Sequence, residues 1–334
     1  MAVSVREVAE DAGVSVGTVS NVLNRPEKVN PDTVARVQAS IARLGFVRND
    51  AARQLRAGRS RTIGLVVLDI RNPFFAEIAR GAEERADEFG LSVLVANSDE
   101  KQLREARHLD LFEEQRVTGV LVTPVSESLP RLAQMQDRGT PAVLVDRESQ
   151  DGRFASVAVD DVEGGRVAVE HLLAVGRTRI AFVGGPVALR QVADRLSGAQ
   201  AAASAAGVGV EFVASVALTV EEGRRVGQQI LDRAPAARPD AIFAANDLLA
   251  LGILQSLVMT GDARVPEDIA LIGYDDIDFA AAAVIPLSSV RQPAALIGST
   301  AVDLLLRSQR EQEPVREHVL FRPELVARAS TLGT

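Results

Sequence analysis

The chain has 334 residues, a hydrophobic share of 47% and a net charge of -8 at pH 7. This length suits two or three domains, and the apolar residues are spread too evenly for a membrane span. The sequence contains no cysteine, and its first residues lack a charged-then-apolar signal stretch. We therefore expect a cytoplasmic protein that needs neither disulfides nor a membrane.

The charge is divided unevenly along the chain. Residues 1–61 carry ten lysines and arginines against six acids, whereas the remaining residues hold an excess of twelve negative charges. A basic segment joined to an acidic body indicates that contact with nucleic acid is confined to the basic segment, because the body repels phosphate.

Residues 4–24 predict two short helices joined by a tight turn. Ser4 and Glu7 have the spacing of a capping box at a helix start. Gly13 permits a sharp reversal, and Ser15 can cap the second helix. A helix-turn-helix places its second helix in the major groove of DNA, and the outer surface of this one is small and neutral. The same pattern also fits a helical hairpin of an enzyme domain, so it leaves both interpretations open.

The next segments favour DNA binding. Asn30-Pro31 is a strong helix start, and the helix it opens has apolar residues at helical spacing and ends at Gly45. A last short helix is predicted from Asn49 to the glycine at position 58. A helix of this length is marginal alone in water, so it needs a partner.

Residues 3–58 resemble the DNA-binding headpiece and hinge of the LacI/GalR family of bacterial transcription regulators. The matching phrases are Val8-Ala9-Glu-Asp-Ala-Gly-Val-Ser15, Thr18-Val-Ser20, Val22-Leu-Asn24 and Asn49-Asp-Ala-Ala-Arg-Gln-Leu55. In that family the hinge helices of two subunits pair in the minor groove, where a leucine at the position of Leu55 inserts between base pairs and kinks the DNA. The resemblance implies DNA contacts by Ser4, Ser15, Val16, Gly17, Thr18, Ser20, Asn21, Asn24, Lys28, Asn30, Thr33, Asn49, Ala52, Leu55 and Arg56.

From residue 61 onward, apolar runs of strand length alternate with helical stretches. The runs include residues 63–68, 93–96, 119–123, 142–145, 180–183, 241–244 and 269–272, and the helical stretches include 75–89, 129–137, 164–174 and 248–259. This alternation predicts mostly parallel sheets covered by helices on both faces. In such sheets ligands bind beyond the carboxyl ends of the strands.

Carboxylates, amides, a guanidinium and paired aromatic rings follow the ends of these strands. Such groups suit a sugar, because they bond hydroxyls and stack on its C–H face. The candidates are Asn72, Phe74, Phe75, Asp146, Arg147, Arg195, Asn246, Asp275 and Gln292. Other roles stay open: Asn246 and Asp247 can cap the next helix, one of the two phenylalanines can be a core residue, Arg195 can be a surface charge, and Asp276 is expected to be solvated.

Residues 61–330 are also similar to the periplasmic sugar-binding-protein fold used by the same family, and the nine candidates match the pattern of its ribose-type members. One departure is Leu218, where the family often has an aromatic residue that stacks on the sugar. The resemblance implies an α+α/β chain with a headpiece at residues 1–47, a hinge at 48–60 and a two-lobed effector and dimerisation domain at 61–334. Lobe 1 is expected at about 61–160 and 291–321, and lobe 2 at about 161–290 and 322–334.

Two other classes of function, an enzyme and a transport binding protein, compete with a transcription regulator. An enzyme is disfavoured because the three histidines lack metal-ligand spacing and no nucleophile motif occurs, so neither a catalytic residue nor a cofactor or metal is expected. A transport protein does not need a DNA headpiece. We therefore expect a homodimeric repressor of carbohydrate genes that binds palindromic operator DNA and is controlled by a small sugar, with a nucleoside or sugar phosphate as the alternative effector. Rotation of the lobes about three crossings, near residues 160, 290 and 322, would couple the two sites.

Overall fold

The computed structural model describes residues 3–46, 60–126, 129–149, 152–311 and 316–333. The chain forms two compact units, Met1–Ser60 and Arg61–Thr334. The predicted hinge helix, with Asn49, Ala52, Leu55 and Arg56, lies outside the described residues. Within the described ranges, no helix has both the length and the apolar character needed to cross a bilayer.

The described residues of the first unit, 3–46 and 60, form three helices around a small apolar core. These are α1 (Val5–Asp11), α2 (Val16–Asn24) and α3 (Pro31–Leu44), with a 3-10 turn at Pro26–Lys28. The buried core residues are Val8, Ala9, Ala12, Val19, Val22, Val37 and Phe46. Leu23 packs against this core but is only half-buried.

The end signals read from the sequence set the boundaries of these helices. Ser4 and Glu7 form the reciprocal capping box at the start of α1, and the Ser15 hydroxyl accepts the Thr18 amide at the start of α2. Gly13 and Gly45 adopt φ values of 63° and 64°, where a side chain would be strained. The turn and the end of α3 therefore follow directly from local chemistry.

The second unit alternates strands and helices. In chain order its elements are β1 (Thr62–Val67), α4 (Pro73–Asp87), β2 (Ser92–Asn97), α5 (Gln102–Glu114), β3 (Gly119–Val122), α6 (Pro130–Asp137), β4 (Ala142–Val145), β5 (Ala155–Val159), α7 (Asp161–Ala174), β6 (Ile180–Gly184), α8 (Arg190–Ala205), β7 (Val210–Ala214), α9 (Val220–Leu231), β8 (Ala241–Ala244), α10 (Asp247–Thr260), β9 (Ala270–Asp275), α11 (Asp278–Ala281), β10 (Ser288–Arg291), α12 (Ala294–Glu311), β11 (His318–Phe321), β12 (Glu324–Val326) and α13 (Ala329–Leu332).

These strands form two six-stranded sheets. The first has the order β11-β5-β4-β3-β1-β2 and is parallel throughout; the second has the order β12-β10-β9-β8-β6-β7 and is parallel except for the β10–β12 pair. The chain changes sheet after β5, after β10 and after β11. Parallel strands bring their carboxyl ends to one edge of each sheet, which is where ligands bind in α/β folds.

Glycines set the spacing of three helix pairs in the second unit. Gly81 of α4 lies so close to α12 that an added Cβ would stand 2.0 Å from the Ala295 carbonyl oxygen. Gly198 of α8 and Gly252 of α10 approach α7 and α9 in the same way, with such a Cβ 1.8 Å and 2.1 Å from a backbone oxygen. Each pair therefore packs backbone against backbone, and only glycine fits at these three positions.

Candidate functional site

A cavity with about 470 Å³ of empty space, open solvent included, lies where the carboxyl ends of strands from both sheets meet. Its lining residues are Leu68, Asp69, Asn72, Phe74, Phe75, Glu100, Asp146, Leu189, Gln191, Val192, Arg195, Leu218, Asn246 and Asp275. Seven of the nine candidates from the sequence are therefore brought together here.

One link across this cavity joins Asn72, which follows β1, to Asp275, which ends β9. The Asn72 oxygen caps α4 by accepting the Phe74 amide, which leaves its Nδ2 to donate to Asp275 Oδ2 at 2.8 Å. Asp275 Oδ1 accepts from Gln292 Nε2, also at 2.8 Å. Asp275 is thus bonded both to the first sheet and to the segment that leaves the second sheet after β10.

A second link involves Asp146, which follows β4 in a left-handed conformation with φ 56°. Gln191, at the start of α8, donates its Nε2 both to the Asp146 carbonyl oxygen and to Asp146 Oδ2, each at 2.9 Å. Asp146 Oδ1 is buried and has no hydrogen-bond partner among the described residues. It is therefore a buried polar atom for which a ligand hydroxyl would be a suitable hydrogen-bond partner.

Arg195 is a buried cation at the base of the cavity. Its Nε donates to Asp161 at 2.8 Å, its Nη1 donates to the Ala245 carbonyl at 2.7 Å, and Nη1 lies 3.9 Å from Asp275. The guanidinium also lies 3.7 Å from the centroid of the Tyr274 ring. Arg195 is therefore not a surface charge. Its guanidinium lies near both the Asp161 and the Asp275 carboxylates in a low-dielectric site, where it attracts both.

The carboxyl groups around Arg195 resist ionisation. Burial raises the pKa of Asp275 to about 6. Burial and then the Asp161 charge raise the pKa of Asp146, and burial also raises that of Asp161 itself. Burial alone lowers the pKa of Arg195, but Asp161 and then Tyr274 raise it above its usual value, so the guanidinium stays charged. The Arg195 charge therefore favours the ionised forms of three buried acids, Asp146, Asp161 and Asp275.

Asn246 both caps a helix and lines the cavity, which are the two placements that the sequence left open. Its side-chain oxygen caps α10 by accepting the Leu249 amide at 2.9 Å, and its Nδ2 donates to the Leu218 carbonyl at 3.2 Å. It also lines the cavity, as does Leu218 at the position where the resemblance suggested a missing aromatic ring. Both Phe74 and Phe75 belong to the hydrophobic core and line the cavity, with ring centroids 5.1 Å apart.

Three residues depart from their predicted placement. Arg147 is buried but lines a neighbouring cavity with Glu148, Asp160 and Asp194, not the one described above. Gln292 does not line the cavity either and reaches it only through Asp275. The prediction of a solvated Asp276 is wrong, because its carboxylate is 5% exposed and pairs with Arg291 at 2.8 Å and Arg328 at 2.6 Å.

Four polar residues at or beside the cavity are not among the sequence predictions. Gln191 carries no motif that marks it, and Glu100 follows a predicted strand only after a turn. Asp69 follows β1 and bonds Arg71 at 2.9 Å. Asp161 is the buried partner of Arg195. Its position one residue after a strand-to-helix cap, Asp160, was the available signal, but it suggests capping rather than an ion pair.

In the first unit, the exposed surface of α2 presents the predicted reading residues. Val16 is 47% exposed, and Ser15, Gly17, Asn21 and Asn24 are also exposed. Thr18 and Ser20 are half-buried: Thr18 bonds the Ser15 hydroxyl at 2.9 Å, and Ser20 accepts from Asn24. Among the other predicted contacts, Ser4, Lys28 and Asn30 are exposed and Thr33 is half-buried. A helix with small neutral side chains on its outer surface can lie deep in a major groove.

Two family models match the chain. Residues 4–49 match "Bacterial regulatory proteins, lacI family", and residues 169–331 match "Periplasmic binding protein-like domain". Among curated relatives, the ribose operon repressor of Escherichia coli K12 is 32% identical over 98% of this chain and 99% of its own length.

Solved structures of transcription regulators are also similar to this chain. The Lac repressor dimer bound to operator and the anti-inducer ONPF has a TM-score of 0.84 and 29% identity, covering 99% of this chain and 100% of its own. A LacI family regulator from Enterococcus faecium with bound ribose has a TM-score of 0.74 and 27% identity, covering 82% and 99%.

A helix-turn-helix unit followed by a two-sheet unit with a polar cavity is the organisation of a ligand-controlled transcription regulator. The chain belongs to the LacI family of these bacterial regulators.

Proposed function

We propose that this protein is a cytoplasmic, homodimeric repressor that binds a palindromic operator and is controlled by a small neutral sugar in the cavity between its two sheets. The observation that carries the effector part is the pair of links across the cavity, Asn72 with Asp275 and Asp146 with Gln191. Both join elements of different sheets, so a ligand that takes over these polar groups changes how the sheets are held together.

The lining chemistry supports a sugar over a phosphorylated effector. Among the described lining residues, Asp69, Glu100, Asp146 and Asp275 are acids and Arg195 is the one basic residue. Arg195 already serves Asp161. Hydroxyl groups can donate to these carboxyl oxygens, whereas a phosphate would meet like charge in a buried site. A nucleoside is the remaining alternative, because its ribose offers the same hydroxyls.

On DNA, we propose that α2 reads the two arms of the operator and that Leu55 of each subunit inserts at its centre. Val16 and Gly17 leave little for hydrogen-bonded readout at the start of α2, so Thr18, Asn21 and contact of Val16 with a thymine methyl would carry direct recognition. A larger share of specificity would then come from the deformability of the central base step.

The test is an electrophoretic mobility shift of the full chain on a palindromic operator obtained by selection from random sequences. We expect binding in the low nanomolar range typical of specific sites, and a shift in that affinity when D-ribose or another neutral sugar is added. A panel of pentoses, hexoses and nucleosides, each first screened by thermal shift, identifies the effector because a true ligand raises the melting temperature. If no selected sequence is preferred over bulk DNA, the repressor assignment is wrong.

A further inference from the structure

The backbone at Asp275 is unusual for a residue with a side chain. Asp275 has φ 106° and Asp276 has φ 56°, so two consecutive non-glycine residues occupy the positive-φ region. Such conformations cost free energy and persist only where the surrounding structure imposes them. The same turn aims the Asp275 carboxylate at Asn72 and Gln292, so what holds the turn also sets the geometry of the cavity.

Asp247 lies directly behind this turn. It is fully buried, does not line the cavity, and its Oδ2 accepts the Ile277 amide at 2.9 Å. Its Oδ1 accepts from the Ser289 hydroxyl at 2.7 Å, and the Ser289 oxygen in turn accepts the Asp276 amide at 3.0 Å. One carboxylate thereby secures the two amides that follow Asp275, one directly and one through a serine.

The strand beside Asp247 is shaped to admit this carboxylate. Gly273, two residues before Asp275, leaves so little room that an added Cβ would stand 2.1 Å from Asp247 Oδ1. Burial raises the pKa of Asp247 well above its usual value, with a further contribution from the Asp275 charge. A buried acid without an arginine beside it is costly, which indicates that its hydrogen bonds serve a specific geometry.

We infer that Asp247 is a positioning residue for the effector site: together with Ser289 it holds Asp275 in the left-handed turn from which its carboxylate meets the ligand. This inference rests on the proposed function for the role of Asp275, but the turn itself can be examined without any ligand. Asp247 acts through Asp275 and makes no contact with the effector.

The first test is the crystal structure of the full-length Asp247→Ala variant. We expect residue 275 to leave the positive-φ region and its carboxylate to lose the bonds to Asn72 and Gln292. Ser289→Ala removes only the relay to the Asp276 amide and serves if Asp247→Ala does not fold. If the turn and both bonds persist in the variant that crystallises, Asp247 does not position Asp275.

The second test is calorimetry with D-ribose. Asp247→Ala is expected to weaken binding by about tenfold or more, the scale for an unmade buried hydrogen bond. Asp247→Asn, which keeps one acceptor, should lose less. In an Asp275→Ala background, Asp247→Ala should add no further loss, whereas general destabilisation would add to it. Asp278→Asn, at an exposed acid that begins α11 two residues after the turn, is the matched control and should bind like the parent.

The two tests separate this inference from the proposed function. Unchanged ribose affinity in Asp247→Ala, with binding intact in the parent, contradicts the positioning role. If the parent itself neither binds D-ribose nor releases its operator in response to any neutral sugar, the proposed sugar control fails, and the crystal structure of the variant alone decides the role of Asp247.

Discussion

Asp275 and Asn72 are 203 positions apart in the chain, yet their side chains are joined by a buried 2.8 Å hydrogen bond across the cavity. The bond connects the end of β9 in one sheet to the cap of α4 beside the other sheet. A ligand that bonds to Asp275 must share or replace this contact. Under the proposed function, ligand occupancy and the arrangement of the two sheets would therefore be linked at a single carboxylate.

The first prediction concerns that carboxylate. Asp275→Ala is expected to reduce the affinity for D-ribose, or for whichever neutral sugar proves active, by about 1.5 to 3 kcal/mol, the scale for a hydrogen bond to a charged group. Operator binding without sugar should persist. Calorimetry measures the sugar affinity, and an electrophoretic mobility shift measures operator binding without sugar. Equal sugar affinity in variant and parent would place the effector elsewhere.

The second prediction follows from the raised pKa of Asp275, which burial moves to about 6. Hydroxyl donors favour the ionised carboxylate, so the contribution of Asp275 to sugar affinity should be constant well above pH 6 and fall by up to about tenfold per pH unit below it. Burial raises the pKa of Asp146 to about 8, so the contribution of Asp146 should already fall below pH 8. Calorimetry between pH 5 and pH 9 gives the profile. A flat profile in the parent would show that sugar binding is not linked to the ionisation of Asp275.

The raised pKa of Asp275 makes folding stability fall with rising pH, whereas it makes sugar affinity rise. The pKa of Asp275 is higher in the folded chain than its usual value of 3.8, so its contribution to stability is fully present below about pH 4 and is lost as the pH rises through about 6. Denaturant unfolding of the parent and of Asp275→Asn over this range separates the two effects, because the variant lacks the titrating group.

The third prediction discriminates between effector classes. D-ribose 5-phosphate is expected to bind roughly 100-fold or more weakly than D-ribose, because like charges brought together in a buried site cost several kcal/mol. At pH 7.5 Asp275, with a pKa of about 6, is ionised, and Arg195 is already paired with Asp161. Competition calorimetry at pH 7.5 compares the pair directly. Tighter binding of the phosphate would favour the sugar-phosphate alternative.

The fourth prediction concerns Arg195, which the buried contacts make a structural residue as well as a site residue. Arg195→Ala leaves Asp161 buried without its partner, 2.8 Å away in the parent. Breaking one side of such a pair costs about 3 to 5 kcal/mol of unfolding free energy. Chemical denaturation measures this loss. The double variant Arg195→Leu with Asp161→Asn should recover much of it, and equal instability of the two variants would argue against the ion pair.

The fifth prediction concerns operator recognition. Leu55→Ala should weaken specific operator binding by about a few kcal/mol. An inserted apolar side chain kinks the DNA, and the additional contacts between the bent DNA and the protein offset the free energy of bending. Affinity for non-operator DNA of the same length is the control and should hardly change. Fluorescence anisotropy with both duplexes gives the ratio of operator to non-operator affinity. A variant that keeps the full ratio of operator to non-operator affinity would rule out the insertion.

Local chemistry explains which features could be read from the sequence. Ser4, Gly13 and Gly45 act within a few residues of themselves, so the headpiece helices begin and end where these residues predict. Strands buried on both faces, such as β8 and β9, form continuous apolar runs and were found. The predicted runs did not include the edge strands β7 and β11, whose residues are half-buried or exposed, nor the buried strand β5, whose five residues include a serine and two alanines.

The site was predictable in composition but not in pairing. Strand ends identified Asn72, Asp146 and Asp275, because parallel topology alone brings them together. Gln191 and Asp161 act through contacts with distant residues, and no local spacing marks them. Asp276 was misread because adjacent residues of a strand face opposite sides, whereas the positive-φ turn allows both carboxylates to be buried.

The close glycine contacts between paired helices bear on how new effector specificities can arise in this scaffold. Gly81, Gly198 and Gly252 leave each helix pair no freedom to adjust its spacing, so substitutions there would act as knock-outs even though none of them lines the cavity. Substitutions at the cavity-lining residues that follow the strands do not meet this constraint, so the lining can change while the spacing of the helix pairs is kept.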